Sequence, residues 1–288
     1  MYTQYFFNFI VLLIVFINLF SIPTTVTSDP RATAASNVIC GSGKPTTTSY
    51  KSTFVQAMEQ LSSNLNNSNS NFATINITNI PSSDNTTTFS FYALFHCHED
   101  LSRTDCLVCY AVSRTAIPAC LPRTSGRIFL DGCYVRYDNR SFFQEAVDPD
   151  TDTKNCSSNL RSDDWRDFRG GFSEFNQSVR GLVENITNVA LNNSGFSAMK
   201  YGGVYGLAQC WKSLRNDGCR NCLEKAKNEV KTCMPSRDGR AMNAGCFLRY
   251  STQKFYHTHD EQGNGSNSGI SLFTRVNIYL RTLLFYHY

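Results

Sequence analysis

Apolar residues recur at helical spacing in two stretches of this chain: Phe54, Met58, Leu61 and Leu65, and then Phe168, Phe172, Phe175, Val179, Leu182 and Ile186. Stripes of period 3.6 with polar residues between them predict two amphipathic helices, each in need of an apolar surface to cover. Asp163 or Asp164 is placed to cap the longer one, and segments such as LEKAKNEVKT predict a second, shorter helix. TFSFYALFHC, RIFLDGCYVRYD, VYGLAQC and AMNAGCFLRYS carry β-branched or aromatic residues bounded by Gly, Pro and Ser, which predicts antiparallel strands. The expectation is an α+β fold in which two helices pack on one face of an antiparallel sheet.

The same pattern occurs twice. Cys97, Cys106, Cys109, Cys120 and Cys133 reappear as Cys210, Cys219, Cys222, Cys233 and Cys246 at a constant offset of 113. Over the 53 ungapped positions from Phe91, 15 residues are identical, including Tyr92 with Tyr205, Leu94 with Leu207, Pro122 with Pro235, Gly126-Arg127 with Gly239-Arg240, Gly132 with Gly245, and Arg136-Tyr137 with Arg249-Tyr250. One upstream cysteine joins each set, Cys40 and Cys156, so the twelve divide into six and six. The acidic, polar run from Gln144 to Asn155 reads as a short linker, with the boundary near Asp150. The expected organisation is a signal peptide over 1–28, repeats over 29–149 and 150–260, and a tail over 261–288.

Composition adds the compartment. An apolar run from Phe6 to Phe20, followed by small and polar residues, reads as a cleaved signal peptide, with an uncleaved anchor as the alternative because the segment before it holds no Lys or Arg. Twelve cysteines in an exported chain of 288 residues imply disulfides. Asn-x-Ser/Thr sequons at Asn66, Asn76, Asn85, Asn139, Asn176, Asn185 and Asn192, with further ones at Asn155 and Asn264, suit the same compartment. The net charge is +4 with Lys and Arg scattered among acidic residues, which gives nucleic acid no footprint. The tail from Ile270 is apolar but interrupted by Arg275, Asn277 and Arg281, so a soluble or only weakly membrane-associated terminus is expected.

The C-x8-C-x2-C cluster, present as CHEDLSRTDCLVC and CWKSLRNDGCRNC, resembles the plant ginkbilobin-homologous or stress-antifungal domain. The resemblance covers roughly Asn37 to His259. That domain occurs singly in an antifungal seed protein, and in pairs in cysteine-rich repeat secretory proteins, plasmodesmata-located proteins and the ectodomains of cysteine-rich receptor-like kinases. The resemblance implies the pairs Cys40–Cys120, Cys97–Cys106 and Cys109–Cys133, then Cys156–Cys233, Cys210–Cys219 and Cys222–Cys246; spacing by itself leaves 15 connectivities per repeat. The 288 residues hold no kinase Gly-rich loop, H-R-D or D-F-G, so phosphoryl transfer is not expected, and a shortened receptor relative acting as a decoy is one expectation.

The mannose-holding positions of the antifungal relative fall on Gly41, Arg127 and Asp138 in the first repeat and on Ser157, Arg240 and Ser251 in the second, so only the arginine is kept in both. Arg127, Asp138 and Arg240 are therefore the candidate carbohydrate ligands, set against a role for the arginines in bracing a turn or pairing with a carboxylate. His96 with His98, and His257 with His259, offer too few ligands for a metal, and the Cys-x2-Cys pairs are read as disulfide partners rather than zinc ligands. Gly170-Gly171 and Gly202-Gly203 read as turns, and Trp165 and Trp211 as packing residues. No catalytic constellation, cofactor or metal is expected. The function expected is secreted, non-enzymatic binding in the apoplast in stress or defence, to an extracellular protein or receptor ectodomain. The alternatives are an antifungal mannose-binding lectin on cell-wall glycan and, for location, the plasma membrane.

Overall fold

The computed structural model describes residues 28–43, 48–68, 70–82, 87–158, 168 and 170–258. The first repeat runs β1 (Ala35–Cys40), α1 (Thr48–Ser68), β2 (Phe72–Pro81), β3 (Thr88–Cys97), α2 (Arg103–Ala116), β4 (Gly126–Leu130) and β5 (Cys133–Asp138). The second repeats that order as β6 (Thr153–Cys156), α3 (Gly171–Asn192), β7 (Phe196–Tyr201), β8 (Val204–Cys210), α4 (Asn216–Lys231), β9 (Asp238–Met242) and β10 (Cys246–Ser251). The two five-stranded sheets have matching strand orders, β1-β4-β5-β3-β2 and β6-β9-β10-β8-β7, with antiparallel pairing throughout.

Each helix forms where its apolar stripe meets a sheet. In α1, Tyr50, Phe54, Met58, Leu61 and Leu65 are buried against Phe91, Phe95 and Tyr137. In α3, Phe175, Val179, Leu182 and Ile186 are buried with Val204, Leu248 and Tyr250. Phe172 departs from the expected stripe: it is 48 % exposed, in the first turn of a helix that begins only at Gly171, at φ +59°. Asp163, Asp164 and Trp165 lie outside the described residues, as do residues 1–27, Asn85, His259, Asn264 and the tail. The start of α2 is fixed by Ser102, whose hydroxyl accepts from the Asp105 N–H at 3.1 Å and donates to the Asp105 carboxylate at 2.6 Å. Among the described residues, no helix is long and apolar enough to cross a membrane.

The repeated glycines are explained by contact. Gly126 faces Tyr137 across β4–β5, and a Cβ there would come within 2.8 Å of the Tyr137 ring and of Cys120 Cβ; Gly239 stands in the same relation to Tyr250 and Cys233. The tyrosine hydroxyls close matching turns, donating to Arg123 O at 3.2 Å and Ser236 O at 3.0 Å. Six disulfides join Cys40–Cys120, Cys97–Cys106, Cys109–Cys133, Cys156–Cys233, Cys210–Cys219 and Cys222–Cys246.

Four strands were not foreseen from the sequence: β1, β2, β6 and β7, the two edges of each sheet. β1, β6 and β7 are short or polar, as in Thr153–Cys156, and lack the aromatic and β-branched runs that marked the inner strands, whereas β2 carries a period-2 signal that sequence reasoning missed, Ala73, Ile75 and Ile77 alternating with Thr74, Asn76 and Thr78. The presumed linker is also more than a spacer. It ends in β6, Gly245 N–H donates to Ala146 O at 3.0 Å, and Asp152 accepts from Ala244 N–H at 2.6 Å.

Candidate functional site

Strand periodicity sends alternate side chains of β3 to opposite faces. Phe91, Ala93 and Phe95 enter the core under the helices, whereas Leu94 belongs to a third apolar cluster with Phe129, Tyr134, Phe142, Leu207, Trp211, Met242, Phe247 and Tyr256. That cluster draws on both repeats, so the face of each sheet away from its helices is covered by the other sheet. Tyr134 and Trp211 stack with ring centroids 4.6 Å apart, and His98 packs on Phe247 at 4.7 Å.

Polar groups complete this seam. Gln209 donates to Cys97 O at 2.9 Å and accepts from Glu99 N–H at 2.9 Å, while Lys212 pairs with Glu99 at 2.8 Å. His257 Nε2 lies 2.7 Å from the Asp29 carboxylate, and Arg31 bridges Asp29 and Asp100, each at 2.8 Å. Burial, with Glu99 opposing it, lowers the pKa of His96; burial with Arg31 alongside lowers that of His98 well below the ordinary imidazole value. The Glu99 carboxyl is held at about 2: burial resists ionisation, but His96 and Lys212 outweigh it.

The mannose-site positions of the first repeat do converge. Gly41, Arg127 and Asp138 line one cleft of about 500 Å³, together with Ser42, Thr124, Asn139 and the linker residues Glu145 and Asp148. The linker changes its chemistry. Arg127 pairs with Asp148 at 2.5 Å and stands 3.9 Å from Glu145 and from Asp152. Arg136 pairs with Glu145 at 2.7 Å and with Asp138 at 3.0 Å, and lies over the Phe142 ring at 4.2 Å. Burial resists the Asp148 charge, yet the Thr151 hydroxyl and Arg127 hold its pKa below the usual carboxylate value. Both guanidinium groups on this wall are thus neutralised from within the chain. Gly41 has the Ser125 hydroxyl in the space a Cβ would take.

In the second repeat, Arg240 is drawn into the seam. It pairs with Asp131 of the first repeat and with Asp238 at 3.2 Å, while Arg249 pairs with Asp238 at 2.6 Å and with Asp131 at 3.2 Å. Ser157 accepts from Asp238 N–H at 3.0 Å, and Ser251 accepts from Gln253 N–H at 3.2 Å. Sequence reasoning named Arg127, Asp138 and Arg240 but missed Asp148, Asp152 and Asp131 as their neighbours. The Asp-rich linker, DPDTD, was the one available signal.

The remaining chemistry is taken up by structure. The Cys-x2-Cys sulfurs are in disulfides, and among the described residues no group of three or more His, Cys, Asp or Glu is placed to hold a metal ion. Of the sequons, Asn66, Asn76, Asn139, Asn155, Asn185 and Asn192 are exposed, and Asn176 is half-buried, accepting from Arg180 at 2.6 Å.

Comparison with known proteins bears on both the fold and the repeats. The family model described as salt stress response/antifungal matches residues 39–140 and again 155–253. Cysteine-rich receptor-like protein kinase 42 of Arabidopsis thaliana is 41 % identical over 278 residues, covering 94 % of this chain and 39 % of the kinase. The chain therefore spans well under half of that relative's length. An antimicrobial ginkbilobin-2-like protein of Castanea crenata is 29 % identical over 55 % of this chain and 66 % of its own. Among solved structures, the tandem DUF26 ectodomain of the Arabidopsis thaliana cysteine-rich receptor-like protein PDLP8 superimposes with a TM-score of 0.63 at 21 % identity, over 76 % of this chain and 98 % of that one.

Proposed function

Because this chain belongs to the salt stress response/antifungal family, homologous to receptor-like kinase ectodomains, we propose that it is a non-catalytic extracellular recognition unit acting in stress or defence by binding another protein. The observation that carries this reading is the seam. With Trp211, Tyr134, Leu94 and Phe247 buried between the sheets, both repeats present their outer surfaces in a fixed relation. A partner is thereby offered an area larger than one small repeat supplies, without the ordering cost of a flexible tandem.

The natural place of action is the apoplast, in secreted form or at the plasma membrane. A second reading, an antifungal mannose-binding lectin, is favoured by one observation: Arg127 and Asp138 do line a common cleft. The two readings separate in one experiment on protein made in a secretory host. Its binding is measured against purified ectodomains of cysteine-rich receptor-like kinases and against mannan. Saturable binding to an ectodomain with none to mannan is expected. Saturable mannan binding, abolished by Asp138→Ala in protein that still melts cooperatively, would replace this reading with the lectin.

A further inference from the structure

The cleft of the first repeat has an exposed sequon on its rim. Asn139-Arg140-Ser141 follows β5 directly, all three residues are exposed, and Asn139 itself lines the cleft beside Asp138. The turn is held in place by Arg140 N–H, which donates to the Asp138 carboxylate at 3.3 Å. Asn185 and Asn192, by contrast, sit on the outer side of α3.

We propose that the resident occupant of this cleft is the protein's own carbohydrate: an N-linked glycan on Asn139 whose first N-acetylglucosamine lies in the cleft and closes it to sugars from outside. The proposal goes beyond the partner reading above and does not depend on it.

Three features point the same way. The cleft, at about 500 Å³, is in the range that holds a small ligand. Arg127 and Arg136 are both paired within the wall, Arg127 with Asp148 and Arg136 with Asp138 and Glu145, so a neutral, hydroxyl-rich group fits without displacing an ion pair. Ser42 and Thr124 add hydroxyls to the lining, and the Asp138 oxygens retain acceptor capacity beyond the bonds they already receive. Tethering then decides occupancy. A group linked to the rim has an effective concentration of millimolar order, so a site with a dissociation constant of about 0.1 mM is roughly nine-tenths filled, and free sugar must compete.

The test uses the full chain from a secretory plant host. Site-resolved mass spectrometry reads glycan at Asn139, and endoglycosidase release at Asn139 is timed against Asn185 in native and in reduced, denatured protein. Expected are a glycan at Asn139, release about tenfold slower than at Asn185 in native protein, and equal rates after denaturation. A second readout separates occupancy of the cleft from simple obstruction of the enzyme: amide hydrogen exchange at residues 41–43 should speed up in Ser141→Ala or Asn139→Gln, either of which removes the glycan. An unmodified Asn139, native release at the Asn185 rate, or unchanged exchange in the glycan-free variants would each overturn the proposal.

Discussion

Gln209 meets His96, its own counterpart in the other repeat: the two are 113 residues apart in the chain, and Gln209 Nε2 lies 3.3 Å from His96 Nε2. A position touches its own repeat partner only where an approximate two-fold axis passes between them, as in an isologous dimer interface. Tyr134 on Trp211 and Phe247 on His98 are the same contact seen from the two sides of that axis. The seam is thus a dimer-like interface made within one polypeptide, and it differs from a symmetric one where function has room to differ. Asp131 binds Arg240 and Arg249 across the seam, while the first repeat's arginines are met by the linker.

Trp211→Ala is therefore expected to uncouple the repeats as well as weaken them. Removing a 2 % exposed tryptophan that stacks on Tyr134 should cost about 3–5 kcal/mol. Urea unfolding followed by fluorescence and far-UV circular dichroism should change from one coincident transition to two. A single unaltered transition would mean the seam contributes little.

Stability should fall with acidity in two stages. His96 and His98 have folded pKa values below the ordinary 6.5, so the folded state resists protons that the unfolded state binds. Stability is full above pH 6.5 and declines below it, by up to about 1.4 kcal/mol per pH unit for each imidazole, until the folded values are reached. Glu99, held at about 2, keeps its contribution above pH 4.5 and loses it as pH falls toward 2. Denaturant midpoints at pH 7.5, 6.0 and 5.0 should decrease in that order, and His98→Leu should flatten the decline. A pH-independent midpoint would contradict the buried-neutral assignment.

Gly126→Ala and Gly239→Ala should each destabilise by about 1–3 kcal/mol, because the added methyl meets a tyrosine ring and a disulfide Cβ that cannot both retreat. Melting temperatures of the two variants should drop by similar amounts, since the surroundings are equivalent. A neutral result at either position would show that the tyrosine turns away freely.

Disulfide removal should follow loop length. Cys40–Cys120 encloses a separation of 80 residues and Cys97–Cys106 one of 9. The chain-entropy model assigns about 4.5 and about 2.6 kcal/mol to them. Double serine variants compared by urea midpoint should rank in that order, and the reverse ranking would point to native-state packing around Cys97 as the larger factor.

Much of this protein was determined by the sequence alone. The constant offset of 113 set the duplication, helical stripes such as Phe54, Met58, Leu61 and Leu65 set the helices because a buried face imposes its period on the residues that cover it, and aromatic and β-branched runs between turn residues, as in β3, set the inner strands. Three matters were decided only by tertiary structure. The edge strands β1, β6 and β7 exist because a neighbouring strand offers hydrogen bonds to a backbone whose side chains carry little pattern. The second face of each sheet is buried because another sheet lies on it, and alternation cannot tell water from an opposing sheet that accepts histidine and glutamine. The state of Arg127 and Arg240 depends on which carboxylates the chain brings within about 4 Å: Asp148 lies 21 residues from Arg127, and Asp131 lies 109 from Arg240. Ion pairing acts through space and leaves no period along the chain.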